Sequence, residues 1–217
     1  LLENDGKMRL IMGCQFDRAD LEAIRRGYAL REALSDRLDA TFTPPQTFAQ
    51  LRHFEILSWL IQHGRLDIKI AVPLKSDGMP ENPEQQLDPN HIFHEKVGIF
   101  IDDNGNQLVF FGSNNETPSG WELNVESFHV YCGWEGGRDA ERVDEEVFRF
   151  EQLWNDFAPN VKLFDIPEAV RAKLLRYTPN SKPTWEHEQE FDTRAIDPAE
   201  PPPPEPEKLT EAERRRE

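Results

Sequence analysis

The chain has 217 residues, 37% of them apolar, enough for one sizeable globular domain or a domain with a long appendage. Its net charge of -16 and pI near 4.8 exclude a broad basic surface that would grip nucleic acid nonspecifically, so an anionic substrate needs a local cationic site or delivery by a neighbour. No apolar run reaches membrane-spanning length, no signal-peptide pattern is present, and Cys14 and Cys132 match no metal-ligand spacing; the reading is a cytoplasmic chain with two buried thiols.

Residues 8–14 (MRLIMGC) form a short apolar run ending near a glycine, which suits a buried strand. Asp17 offers an N-cap to a helix over 18–39, where Leu21, Ile24, Tyr28, Leu34 and Leu38 recur at helical spacing. Pro44-Pro45 separates this from a second helix over 47–63, with Phe48, Leu51, Phe54, Leu57 and Ile61 on its apolar stripe. Gly64 ends it, and residues 66–72 (LDIKIAV) read as the next strand. Residues 73–90, rich in Pro, Asp, Asn and Gly, form a loop long enough to be functional or mobile.

Residues 94–115 (HEKVGIFIDDNGNQLVFFGSNN) then read as a strand, a turn at Asn104-Gly105 and a second strand. A two-residue turn there makes every cross-strand pair sum to 209, so that His94 faces Asn115 and Lys96 faces Ser113. Directly opposed residues share a face, so the four groups converge on one side of the sheet. A strand follows at 126–134 (ESFHVYCGW), then a helix over 138–157 with Val143, Val147, Phe150, Trp154 and Phe157 buried. A short strand over 161–166 and a closing helix over 168–177, with Pro167 at its start, complete an α/β sandwich with a mixed sheet flanked by helices. The domain ends near residue 180. Residues 181–217 lack an apolar face and carry a proline cluster, which makes them a semi-rigid acidic linker. The chain opens without Met and closes on Thr-x-x-Glu, the signature of a helix beginning; the reading is an excerpt of a larger protein.

The four hairpin groups have a shared chemistry. A neutral imidazole is a competent nucleophile and proton carrier near pH 7, and Lys96 adds a fixed positive charge two residues away. A phosphodiester centre needs that charge, because negative charge moves onto its nonbridging oxygens as the attacking group arrives. The Ser113 hydroxyl and Asn115 amide can donate to those oxygens, and Gly112 lets backbone come close. The set amounts to a phosphate cradle with its own nucleophile.

His94-x-Lys96 followed by Gly112-Ser113-x-Asn115 resembles the signature of the phospholipase D superfamily, and the wider segment from Phe93 is most similar to nuclease-type modules found ahead of bacterial helicase domains. The resemblance implies a phospholipase D-like αβα sandwich over 1–180 and a metal-independent phosphodiesterase with no cofactor. It makes His94 the nucleophile that forms a phosphohistidine, Lys96 and Asn115 the phosphate ligands, Ser113 their support and Glu126 an orienting acid for a partner histidine. It further implies nucleic acid as substrate, DNA before RNA, a helicase domain beyond the linker, and no membrane. Two departures stand out: Ile101 occupies the position where the family has an Asp, and the chain holds one copy of the motif where the reaction needs two histidines. The second histidine comes from a homodimer or from another copy in missing sequence.

Competing readings are polar decoration of an exposed hairpin, and a degenerate copy kept for dimerisation or DNA docking. A lipid substrate would call for an apolar entry, whereas the 73–90 loop is polar. His53, His63, His91, His129 and His187 read as surface or packing residues, Trp134 and Trp154 as core, and Trp121 as a possible base contact.

Overall fold

The computed structural model describes residues 2, 5–14, 16–80, 96–112, 128–184 and 194–195. The described elements are strand β1 (Met8–Gly13), helices α1 (Arg18–Arg25), α2 (Leu30–Thr41) and α3 (Phe48–Gln62), strands β2 (Leu66–Pro73), β3 (Val97–Ile101), β4 (Gln107–Gly112) and β5 (Phe128–Cys132), helix α4 (Gly137–Trp154), strand β6 (Val161–Asp165) and helix α5 (Glu168–Leu175). The chain is therefore mixed α/β. Its described strands form two three-stranded sheets, ordered β1-β2-β6 and β3-β4-β5, where the sequence pointed to one mixed sheet. The difference follows from connectivity. β3, β4 and β5 are consecutive and pair locally as an antiparallel meander, whereas β1, β2 and β6 are far apart in sequence and meet only through tertiary packing. By compactness the chain divides into two units, residues 1–12, 16–70 and 164–217 in one, and residues 13–15 and 71–163 in the other.

In the first unit the helix expected over 18–39 is broken. α1 begins at a capping box in which Asp17 accepts from the Asp20 N–H at 3.0 Å and Asp20 accepts from the Asp17 N–H at 2.9 Å. It stops at Gly27, whose φ of +100° a side chain would resist, and α2 restarts at Leu30. The break lets the two helices fold against each other, burying Leu21 and Leu34 while Tyr28 swings outward to donate to Asp36 at 2.7 Å. Arg37 of α2 reaches back to the α1 cap, 2.8 Å from Asp17.

α3 starts at Thr47, whose hydroxyl accepts from the Gln50 N–H at 3.2 Å. Its Leu60 and Ile61 join Leu66 and Leu174 in a core lined by Leu10, Phe42, Phe54, Leu57 and Ile166. Phe54 meets Phe42 and Tyr177 edge-on, at centroid distances of 5.8 and 5.1 Å. Phe48 is exposed and not part of that core: the Arg194 guanidinium lies over its ring, and Ala195 forms an isolated antiparallel bridge with Thr47. Hence at least two residues of the acidic proline-rich stretch are held against the start of α3.

In the second unit α4 packs on β4 and β5, with Val109 and Val143 fully buried. Gly136 and Gly137, with φ of +71° and +56°, turn the chain into α4. Two residues read as core lie outside it: Phe157 is 70% exposed and Trp134 56% exposed. Phe157 follows the end of α4, where Asp156 at φ +60° redirects the chain off the helical stripe, and Trp134 sits in a 3-10 turn whose three-residue period breaks the strand alternation. β5 is correspondingly shorter than the run over 126–134. β2 extends through Pro73, and the loop that follows opens with a tight turn closed by the Leu74–Pro80 bridge; residues 81–90 lie outside the described residues. Cys14 and Cys132 are half-buried, not buried, since each sits just at or past the end of a strand.

Candidate functional site

The β3–β4 hairpin carries the candidate chemistry, and its turn differs from the one expected. Val97 pairs with Phe111, Gly98 with Phe110, Ile99 with Val109, Phe100 with Leu108 and Ile101 with Gln107. Every pair sums to 208. The loop is therefore three residues, Asp103 to Gly105, with the Gly105 N–H donating to the Asp102 carbonyl at 3.0 Å and the Asp102 N–H donating to the Asn106 carbonyl at 3.0 Å. Asn104 keeps a negative φ while Gly105 sits at +81°, which is a type I turn followed by a glycine bulge and not the two-glycine-like turn that Asn-Gly favours.

Asp102 explains the choice. Its carboxylate accepts from the Asn104 N–H at 2.9 Å, the Asn106 N–H at 2.8 Å and the Asn106 side-chain amide at 2.8 Å. A two-residue turn would move Asn106 out of reach of all but part of that set. The signal was present as Asp-Asp-Asn-Gly-Asn, because an Asp bonding backbone two residues on is a turn former in its own right. The Asn106 amide and backbone bonds, followed by the Asn104 bonds, hold the Asp102 carboxyl below its usual value. A depressed folded pKa stabilises above the unfolded value and loses that stabilisation as pH falls through the folded one. Exchange protection of the Asn106 amide should thus fall on acidification from about pH 5 to about pH 2, and Asp102→Ala should lower it near neutral pH and abolish that dependence; unchanged protection across that range would contradict the role.

The one-residue difference changes which residues share a face. Lys96 precedes Val97, so its cross-strand position is that of Gly112 and not Ser113. Because side chains alternate, a slip of one exchanges faces, and the two-residue turn no longer brings the four groups onto one side. His94, Ser113, Asn115 and Glu126 lie outside the described residues, as does Trp121; Lys96 alone of the five candidates is described.

What the hairpin does bring together is the ends of its strands. Val97 opens β3 opposite Phe111, and Gly112 at the end of β4 pairs with Phe128 at the start of β5. Lys96 is one residue before β3, Ser113 and Asn115 one and three residues after β4, and Glu126 two residues before β5. All the chain segments that carry the candidate groups leave the meander at the same end. Ile101 is 58% exposed at the other end beside the turn, about 16 Å along the strand from Lys96, too far to be part of one site with it. Among the described residues there is no cluster of three groups able to hold a metal ion, and no helix long and apolar enough to cross a membrane. No family model matches the chain, and no curated protein or solved structure matches it either.

Proposed function

We propose that this chain is a metal-independent phosphodiesterase of the phospholipase D type, a nuclease acting through a phosphohistidine. The observation that carries the reading is the common end of the β3-β4-β5 meander, where the His94-x-Lys96 and Gly112-Ser113-x-Asn115 halves of the motif depart and arrive. In this reading the His94 imidazole attacks phosphorus and the P–O bond to the leaving group breaks. A second histidine donates the proton that the leaving oxygen takes up. Water then attacks the phosphohistidine and releases the phosphate product. Lys96 and Asn115 hold the nonbridging oxygens as charge builds on them, Ser113 supports that cradle, and Glu126 orients the partner histidine. The single motif copy calls for a homodimer or a second copy elsewhere, and an adjoining helicase domain would deliver DNA to a chain whose charge of -16 repels it. The finer architecture that goes with this reading is a phospholipase D-like αβα sandwich in a cytoplasmic protein.

The test is cleavage of labelled DNA in excess EDTA. Product formation at an undiminished rate is expected, since no step needs a metal; complete loss in EDTA rules the mechanism out. A second reading has its own support. The 208 register separates the motif from the simplest geometry for a shared cradle, which favours a degenerate module that dimerises or docks DNA. That module would retain DNA without cutting it in any buffer.

A further inference from the structure

The face of the meander that packs on α4 carries a row of rings. Phe111 of β4 pairs directly with His129 of β5, and Tyr131 follows two residues on. The three ring centroids are mutually close: 5.9 Å from Phe111 to His129, 5.4 Å from Phe111 to Tyr131 and 6.4 Å from His129 to Tyr131. The Tyr131 ring is nearly parallel to both others, at 27° to Phe111 and 19° to His129. At the inner end Arg142 of α4 closes the row, with its guanidinium carbon 4.8 Å from the Tyr131 centroid and an N–H donating to the Tyr131 hydroxyl at 3.0 Å. At the outer end His129 is exposed, next to the paired strand ends Gly112 and Phe128.

The inner part of the row is accounted for by packing, because Tyr131 and Arg142 tie the sheet to α4. His129 and Phe111 are not accounted for in that way. Both stand one residue in from the sheet end where the motif segments depart, and the imidazole is solvent-accessible instead of covered. Rings fixed by neighbouring rings lose little freedom when a flat partner is added, and every nucleobase has such a face. Charge alone would serve an anion poorly here. Asp139, Glu145 and Glu146 lie three or four residues from Arg142 on the same helix, and only Glu146 is drawn off by Arg149, at 3.2 Å.

We propose that His129 and Phe111 form a stacking platform for an unpaired base of single-stranded nucleic acid, held by the ring faces and not by charge. The proposal rests on the nuclease reading and adds to it a strandedness and a subsite for a flanking nucleotide; Lys96 alternates onto the other face of the strand, so the platform does not hold the scissile phosphate. It is tested on the full chain carrying His94→Ala, so that no cleavage competes, by fluorescence anisotropy with two probes of equal length and charge: a single-stranded oligothymidylate and its fully abasic counterpart. The base-bearing probe should bind about tenfold more tightly. His129→Ala should remove most of that preference and His129→Phe should keep it, with both variants folded, since the residue is exposed. Binding should weaken only shallowly with salt, by a slope corresponding to about one or two phosphates. Equal affinity for the two probes, a preference untouched by His129→Ala, or a steep salt slope without base preference would each overturn the platform. Cleavage by the unsubstituted chain is read separately, so loss of the platform and loss of the nuclease reading are distinguishable.

Discussion

Replacing His94 by alanine is expected to lower metal-free cleavage by on the order of a thousandfold or more, about 4 kcal/mol of transition-state stabilisation, with little change in the affinity for uncut DNA. The reasoning is chemical. A phosphohistidine route divides one difficult displacement into two, and alanine offers neither a nucleophile nor a proton carrier to either half. Water positioned in the same cradle would sustain only the residual rate that Lys96 and the amide donors provide by stabilising charge. Two companion measurements sharpen the result. The rate in the unsubstituted chain should be bell-shaped in pH, because the route needs one histidine neutral as the nucleophile and another protonated as the acid. Denaturing the protein during turnover on a phosphorus-labelled substrate should leave label on the chain, and none on His94→Ala. Full activity in His94→Ala would dispose of the mechanism, whereas absence of cleavage in both proteins would point to the degenerate docking module.

The second large effect concerns the fold. Leu34 in α2 has no solvent exposure at all, so Leu34→Ala removes its outer carbons from a site that cannot refill with water. Lost transfer energy and the cavity left behind together cost about 2–5 kcal/mol, a large part of the ~5–15 kcal/mol by which domains are stable. For a chain of this size that is a fall in Tm of roughly 5–15 °C, measured by circular dichroism. A shift under about 1 °C would mean that the α1–α2 pair contributes little to the cooperative structure. Leu34→Met, which conserves most of the volume, should recover most of the loss.

The break between α1 and α2 shows where linear reading fails. Leu21, Ile24, Tyr28, Leu34 and Leu38 do recur at helical spacing, and that period is what makes each half a helix. Period says nothing about direction, however, and a single helix and two helices folded at Gly27 bury nearly the same residues. The glycine was visible; that the chain uses its positive φ there was decided by packing. Phe48 and Phe157 make the same point from the other side. Each continues an apolar stripe by one turn, and each is exposed, Phe157 just past the Asp156 reversal and Phe48 at the first turn of α3.

The hairpin shows the finer limit. Asn-Gly correctly marked the reversal, and the β3 and β4 strands lie where period two puts them. Register required a choice between two turns, and the three bonds accepted by the Asp102 carboxylate and the positive φ of Gly105 accompany the one that is a residue longer. One residue is enough to exchange the faces of a strand, so which side chains share a face depends on a small energetic difference at the turn.

The sequence by itself therefore determined where most of the helical and strand segments run and the position of the reversal, because period and capping residues are local properties. Only the tertiary structure decided that the strands divide into two sheets, that the turn has three residues, and that the ends of β3, β4 and β5 meet beside His129 and Phe111. These outcomes depend on contacts between residues distant in the chain, whose energies are comparable with those of the alternatives and are resolved only when all are made at once.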